Sequence, residues 1–204
     1  MGVALSGETV YIADEDRGLR IIDVSDPLHP FEVGAYDTLG YTRDVAVVGE
    51  TAYLADAEAG LRIVDVSDPA DPTEIGVYDT PGAARRLKVV DRTVYLADWD
   101  GGLRIYDVAD PTNVVELGAY WSTGLAVGID VVEQTTLVAA TQVRAIDVSD
   151  PARPVETALY RTAFSAQDLT IAGNVAYVAD DYGGLVLLLL AETRIHLPVV
   201  IRQE

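Results

Sequence analysis

The sequence contains no cysteine, which excludes thiol catalysis, disulfide bonds and cysteine metal sites and leaves the redox compartment open. Lysine is nearly absent as well, since Lys88 is the one lysine in the chain. The 33 acidic residues against 14 lysines and arginines give a net charge of -19. Because nucleic-acid binding through phosphate contacts requires clustered Lys and Arg, this acidic composition argues against a DNA or RNA partner.

Long hydrophobic runs and targeting signals are missing too. The most apolar run, LVLLLLA at 185–191, is about a third as long as a transmembrane helix, and Glu192 and Arg194 follow it. Residues 1–14 lack the basic start, the apolar stretch and the cleavage site of a secretory signal. We expect no membrane span and no signal peptide in the chain as given, so the chain is not exported or has already lost its leader.

One phrase recurs along the chain. GLRIIDVSDP at 18–27 returns as GLRIVDVSDP at 60–69 and as GLRIYDVADP at 102–111, and weaker copies align at Val143 and Leu185. Successive copies are 42, 42, 40 and 42 residues apart. A second phrase, such as VYLAD around Tyr95, precedes each copy. A period this regular indicates a repeat architecture of five units.

Each unit holds four short segments rich in Val, Ile, Tyr and Thr, separated by Gly, Pro and Asp, which is the composition of strands and turns. Helical repeats are excluded because Gly and Pro recur too often and the apolar spacing follows period two. Segments such as VAVV at 45–48 are apolar on both faces, so sheets must pack against sheets. A two-sheet sandwich is the competing fold, but it has no reason to repeat its sequence.

The pattern therefore predicts an all-β fold, a β-propeller of five four-stranded antiparallel blades of about 42 residues each, in one domain over residues 1–204. The approximate blades are 1–41, 42–83, 84–125, 126–165 and 166–204. GLRIVDVSDP, the VYLAD phrase and the TEIGVYDTPG phrase resemble the LVIVD-repeat family of propeller proteins. The resemblance implies a location on or outside a prokaryotic cell and says little about activity.

The last two units depart from the pattern. The fourth shortens the hairpin between its second and third strands to VAATQV, and the fifth loses the repeated Arg, Asp and SDP turn. Terminal repeats usually close or cap an array. We expect the last strands, with Leu187, Leu188, Leu189 and Leu190, to close the ring against the first unit or to form a subunit interface. Fraying or truncation of a longer parent protein is the remaining alternative.

The loops that enter each innermost strand vary most, and in a propeller they surround one mouth of the central channel. They supply the candidate ligand-binding residues, in which the arginines would receive an anionic ligand or else offset the acidity of the channel. These residues are Tyr41, Arg43, Asp44, Arg85, Arg86, Phe164, Gln167 and Asp168.

The remaining charged residues have structural interpretations. We expect the repeated arginines and aspartates, such as Arg62 and Asp65, to hold loops or strands within each blade. Acidic residues between strands two and three are either solvated hairpin tips or weak candidates for calcium ligands. Those candidates are Asp98, Asp100, Asp180 and Asp181.

Catalysis has little support, and no catalytic residue and no cofactor is predicted. His29 and His196 lie outside the mouth loops, and Asp44 with Asp168 is the one carboxylate pair that suggests a hydrolase. We predict a non-enzymatic interaction or structural module that binds a protein partner or itself. Two alternatives stay open: a filament or oligomer subunit joined through terminal blade strands, and a binder of a small ligand or glycan at the channel mouth.

Overall fold

The computed structural model describes residues 2–121, 123–191 and 194–200, with the backbone alone from residue 191 onward. Its strands form five sheets of four antiparallel strands, each paired with its neighbours along the chain, so the all-β fold with five blades is confirmed. A 3-10 turn, η1 (Asp181–Gly183), precedes the third strand of the fifth blade. No helix of the described segments is long and apolar enough to cross a membrane.

The strand bounds follow the repeat. The first blade contains β1 (Val3–Ser6), β2 (Thr9–Ala13), β3 (Leu19–Asp23) and β4 (Phe31–Tyr36). The second contains β5 (Asp44–Val48), β6 (Thr51–Ala55), β7 (Leu61–Asp65) and β8 (Thr73–Tyr78). The third contains β9 (Arg86–Val90), β10 (Thr93–Ala97), β11 (Leu103–Asp107) and β12 (Val115–Tyr120). The fourth contains β13 (Gly128–Val132), β14 (Thr135–Ala139), β15 (Val143–Asp147) and β16 (Val155–Tyr160). The fifth contains β17 (Ala166–Ala172), β18 (Val175–Asp180), β19 (Gly184–Ala191) and β20 (Arg194–Val200).

The hydrophobic core is divided among the four junctions between consecutive blades. Because alternate residues of a strand point to opposite faces, every blade has two apolar faces. One face, here the next-blade face, packs on the following blade, and in the second blade it consists of Tyr53, Ala55, Leu61 and Ile63. The other, the previous-blade face, packs on the preceding blade, and in the second blade it consists of Val45, Ala52, Leu54, Val64 and Val66.

The blades are arranged in an arc. The first strands of consecutive blades lie side by side, β1 with β5, β5 with β9, β9 with β13 and β13 with β17, and they line the central channel. Among the described residues, no packing of comparable extent joins β17 to β1. Val3 and Leu5, on the previous-blade face of the first blade, are each 68% exposed. The described terminal strands therefore do not close the ring on the first blade, contrary to one of the two expectations.

The turn residues of the repeat have the conformations that the sequence requires. Gly7, Gly49 and Gly173 begin two-residue hairpins with φ of 58°, 60° and 61°, a region that glycine enters without steric cost. In the SDP turn, the carboxylate of Asp68 accepts a hydrogen bond from the backbone N–H of Ala70. The Asp65 carboxylate accepts one from the N–H of Ser67, so both aspartates fix the reversal between the third and fourth strands.

A glycine in the fourth strand allows consecutive blades to approach closely. A Cβ on Gly76 would lie 2.1 Å from the carbonyl oxygen of Pro111, in the Asp-Pro turn of the next blade. Gly34 and Gly118 have the same relationship to the next blade. The fourth blade has Ala158 at this position, and the fifth blade, which follows it, is the one that lacks the SDP turn. The glycine therefore occurs where a turn of the next blade must fit against it.

The repeated arginine links strands within a blade. Arg62 lies 3.0 Å from the Glu74 carboxylate on the neighbouring strand, and Arg104 lies 3.0 Å from Glu116. Glu116 also accepts a hydrogen bond of 3.4 Å from the hydroxyl of Tyr78, which belongs to the preceding blade. These side chains are mostly buried. The repeated arginines therefore have structural partners and do not form an open charged surface.

Candidate functional site

The channel wall is built from the first strand of each blade. The strand register places Asp44, Arg86, Gly128 and Asp168 at one level of the wall. The level below it contains Ala46, Lys88, Asp130 and Thr170. Three of the eight predicted site residues, Asp44, Arg86 and Asp168, therefore lie on the wall. Lys88 and Asp130 are wall residues that the sequence pattern did not identify. A polar residue within an otherwise apolar inner strand is the signal that would have identified them.

Carboxylates on the wall bind the free edge of the next blade. Asp44 Oδ2 accepts a hydrogen bond of 3.0 Å from the backbone N–H of Leu87, and Asp130 Oδ2 accepts one of 2.8 Å from that of Ile171. The inner strand is the edge of its sheet, so these N–H groups lack a strand partner. The carboxylates supply the missing acceptors, and Lys88 Nζ lies 3.0 Å from Asp130 Oδ1.

Arg86 connects three blades. Its Nη1 donates to the carbonyl oxygen of Arg43 at 3.2 Å, and its Nε lies 3.4 Å from Asp168 Oδ2. Burial raises the pKa of the Asp44 carboxyl, and the Leu87 N–H and the Arg86 guanidinium act in the opposite direction. Asp44 and Asp168, the pair considered for hydrolysis, thus each have a partner within the protein.

The mouth of the channel is formed by two kinds of loop. The loop that enters a blade runs beside the hairpin between the second and third strands of another blade, as in the bridges Glu15 to Thr42 and Trp99 to Ala126. Glu15 and Trp99 have φ of 55° and 49°. The hairpin therefore presents side chains to the mouth beside the entering loop, a proximity that the sequence pattern does not indicate.

The buried members of the acidic hairpin series hold the entering loops in place. Asp98 is fully buried and accepts hydrogen bonds from Thr80 Oγ1 at 2.6 Å and from the Gly82 N–H at 2.8 Å. Burial raises the pKa of the Asp98 carboxyl despite these hydrogen bonds. Asp180 is also fully buried, and its carboxylate accepts a hydrogen bond from the backbone N–H of Phe164.

The calcium candidates do not assemble into a ligand set. Asp98 and Asp180 have their carboxylates bound to loop donors, whereas Asp100 and Asp181 are exposed. Within the described parts of the chain, no group of three or more acidic or histidine side chains is placed to hold a metal ion. Asp100 and Asp181 have the exposure expected of solvated hairpin tips, whereas Asp98 and Asp180 are buried.

Two mouth arginines stack on aromatic rings. The Arg43 guanidinium carbon lies 4.2 Å from the centroid of the Tyr41 ring, and that of Arg85 lies 3.8 Å from the centroid of the Trp99 ring. The Tyr41 hydroxyl donates a hydrogen bond to the Glu15 carboxylate. Stacking of this kind orients a guanidinium and leaves its in-plane N–H groups to face a ligand.

No anionic side chain in the described part of the chain is in direct contact with these two arginines. Among the described residues, neither Arg43 nor Arg85 forms an ion pair, although the chain is strongly acidic. The Nε of each is buried and has no hydrogen-bond partner in the described structure. Burial lowers the pKa of Arg85, the positive charge of Arg43 lowers it further, and Glu58 opposes both. The site thus contains two like charges held near each other.

Phe164 and Gln167 belong to a different part of the mouth. Phe164 is 49% exposed, and its ring contacts the edge of Tyr182 with 5.8 Å between centroids. Gln167 is exposed at the irregularity between Ala166 and Asp168. The structure therefore brings together Tyr41, Arg43 and Arg85 and, separately, Asp44, Arg86 and Asp168.

The four leucines of the predicted interface divide between the two faces of β19. Leu188 is fully buried against the fourth blade, and Leu190 packs on the same cluster. Leu189 is 43% exposed and Leu187 is half-buried. Only Leu187 and Leu189 remain available to another molecule, and the interface itself stays a prediction.

With this geometry in place, the repeat can be compared with known families. The LVIVD repeat matches the chain at residues 1–38, 39–80, 81–122, 124–162 and 164–188. The chain belongs to the LVIVD-repeat family. No curated protein sequence matches this LVIVD-repeat chain.

Solved structures resemble the LVIVD-repeat chain in fold. Periplasmic gluconolactonase PpgL of Pseudomonas aeruginosa is 12% identical with a TM-score of 0.83, over 98% of this chain and 69% of that one. A chain of the nidogen/laminin complex is 18% identical with a TM-score of 0.68, over 97% of this chain and 78% of that one. The computationally designed Ika8 protein is 11% identical with a TM-score of 0.71, over 92% of this chain. The chain spans 57% of the length of Ika8, and at these identities the likeness concerns the fold alone.

Proposed function

We propose that this LVIVD-repeat chain is a non-enzymatic binding module that recognises a carboxylate group of its partner at the channel mouth. The observation that carries the proposal is the pair Arg43 and Arg85, which stack on Tyr41 and Trp99 and have no ion-pair partner among the described residues. Two half-buried like charges destabilise each other, and an anion between them removes that repulsion.

The charge of the whole chain favours a small anion over a polyanion. A net charge of -19 repels extended polyanions at a distance, whereas the two arginines attract one anionic group locally. Guanidinium groups bind carboxylates through paired N–H donors. A carboxylate of this kind occurs on acidic side chains and chain ends of proteins and on sugar acids, so both are candidate partners.

The polar contacts of the channel wall support binding over catalysis. Asp44 accepts the Leu87 N–H, and Asp168 lies next to Arg86, so these carboxylates have structural partners. The fold likeness to a gluconolactonase is at 12% identity and carries no residue assignment. A location on or outside the cell, which the family resemblance implies, forms part of the same proposal.

Intrinsic fluorescence tests the proposal, because Trp99 stacks on Arg85. The titrants are a tetrapeptide with a free carboxyl end and its C-terminal amide, and digalacturonate and its methyl ester. Trp121, the other tryptophan, is replaced by Phe in all samples. We expect one free acid to change the fluorescence, the neutral analogues to have no effect, and the choice of acid to distinguish a protein partner from a glycan.

Variants identify the site. Arg43→Gln together with Arg85→Gln should weaken binding of the free acid by about tenfold or more, since charge-assisted hydrogen bonds are lost. Arg92→Gln is the matched control, because Arg92 is exposed in the hairpin between β9 and β10 at the opposite end of the blade. Absence of any response to either acid, or equal binding by the double variant and the parent, would overturn the proposal.

A further inference from the structure

The first blade leaves its previous-blade face uncovered. Val3 is 68% exposed, whereas the residue at the same register in the second and third blades, Val45 and Leu87, is 5% and 6% exposed. The other members of this face in the first blade are half-buried, while their counterparts in the second blade are buried. These members are Val10, Ile12, Ile22 and Val24, against Ala52, Leu54, Val64 and Val66. The first blade thus has the residues of a covered face without a cover in the described structure.

Among the described residues, nothing covers the opposite face of the fifth blade. Its next-blade face consists of Tyr177, Ala179, Leu185 and Leu187, at the register of Tyr53, Ala55, Leu61 and Ile63 in the second blade. The residues of the second blade are buried against the third, and Leu61 is 0% exposed. In the fifth blade, Leu185 is 48% exposed and Ala179 is exposed.

The two uncovered faces are of the two kinds that pack together at every internal junction. Every internal junction pairs the next-blade face of one blade with the previous-blade face of the following blade, and the chain builds this junction four times. We propose that the chain associates head to tail, so that the fifth blade of one copy packs its next-blade face on the previous-blade face of the first blade of a second copy.

The internal junctions determine both the occupant and the symmetry of the association. In a junction that repeats the internal one, the Tyr-Ala-Leu-Leu face of the fifth blade packs on the Val-Val-Ile-Ile-Val face of the first blade. Inside the chain, a closely similar Tyr-Ala-Leu-Ile face of the first blade already packs on a Val-Ala-Leu-Val-Val face of the second blade. No internal junction joins two faces of the same kind. The association is therefore heterologous, and one copy offers one face of each kind to its neighbours.

Sedimentation velocity over a concentration series tests whether the faces associate. We expect species larger than the 21.9 kDa chain that grow with concentration. Val3→Asp and Leu185→Asp place a charge at exposed positions of the two faces, so they should leave the fold intact and weaken association by about tenfold or more. Leu28→Asp and Leu39→Asp, at positions 85% and 91% exposed outside both faces, are the matched controls and should associate as the parent does.

A mixing experiment distinguishes a heterologous junction from general hydrophobic association. The Val3→Asp variant keeps the fifth-blade face and the Leu185→Asp variant keeps the first-blade face, so their mixture should form a one-to-one dimer although each alone is a monomer. Three outcomes would overturn the inference. The parent chain could stay a monomer at all concentrations, or the mixture could form no dimer. The Leu28→Asp control could also weaken association as much as Val3→Asp and Leu185→Asp do. These faces contain neither Arg43 nor Arg85. A negative result in this test would therefore leave the carboxylate proposal standing, and a negative carboxylate test would leave this inference standing.

Discussion

Arg86 and Asp168 meet across the channel although they belong to the third and fifth blades. The Nε to Oδ2 distance is 3.4 Å, and the fourth blade has Gly128 at the intervening wall position. Because Gly128 has no side chain, Asp168 can lie close to it: a Cβ on Gly128 would be 2.8 Å from Asp168 Oδ1. The charged row of the wall thus connects blades that are not consecutive in the chain.

The coupling between Arg86 and Asp168 should be small. The two side chains are 29% and 45% exposed, so solvent screens the pair, and a double-mutant cycle with Arg86→Gln and Asp168→Asn should give less than about 1 kcal/mol. Arg86→Gln alone should cost more than Asp168→Asn, because it also removes the hydrogen bond to the Arg43 carbonyl. Urea unfolding measures all four free energies. Equal losses for the two single variants would contradict this account of Arg86.

Gly76→Ala should destabilise the junction between the second and third blades. The added Cβ would lie 2.1 Å from the Pro111 carbonyl oxygen, so the turn must move, at a cost of about 1 to 3 kcal/mol in the free energy of unfolding. Ala158→Gly is the reverse change at the equivalent position and should cost less, since no SDP turn approaches it. Thermal and urea unfolding compare the two variants, and a neutral Gly76→Ala would refute the close approach.

Asp44→Asn should change the pH dependence of stability. Burial raises the pKa of Asp44 in the folded protein, so the folded state holds the proton more tightly than the unfolded chain does. The parent should therefore gain stability relative to Asp44→Asn as the pH falls from 7 towards 4, and lose that gain as the pH rises through the raised pKa. Asn keeps an acceptor for the Leu87 N–H, so the hydrogen bond is retained.

Asp23→Asn is the control, because it should change the pH dependence of stability in the opposite direction. Hydrogen bonds from the Ser25 side chain and backbone lower the pKa of Asp23, so its stabilising effect is present at neutral pH and is lost as the pH falls through the folded pKa. The parent should accordingly lose stability relative to Asp23→Asn over the acidic range. Urea unfolding at several pH values measures both curves, and curves of the same sign would contradict the assignment.

Tyr106→Phe should raise stability. The Tyr106 side chain is fully buried, its hydroxyl has no hydrogen-bond partner in the described structure, and burial raises the pKa of that hydroxyl. Removing an unsatisfied buried hydroxyl is expected to increase the free energy of unfolding by about 1 kcal/mol. Tyr78→Phe, which removes a hydroxyl bonded to Glu116, is the control and should lower stability. A loss of stability in Tyr106→Phe would indicate a partner for its hydroxyl.

The fold was predictable because its signals are local and repeated. Glycine at 7, 49 and 173 and the Asp-Pro pairs mark turns whose backbone angles depend on those residues themselves, and alternation around Tyr53 indicates two apolar faces. The site was only partly predictable. The hairpin acids of DWDGG looked alike in sequence, yet Asp98 is buried beneath an entering loop while Asp100 is exposed and Trp99 stacks on Arg85.

The sequence by itself determined the number of blades, the strand order within each blade and the apolar character of both faces, because these depend on spacings within about 42 residues. Only the tertiary structure decided which charged groups pair and which faces stay uncovered. Arg43 and Arg85 occupy the same loop position in consecutive blades, and Arg86 is the next residue, on the first strand. Contacts from other blades engage Arg86, whereas the other two have no ion pair among the described residues. Such contacts join residues far apart in the chain, so no local pattern encodes them.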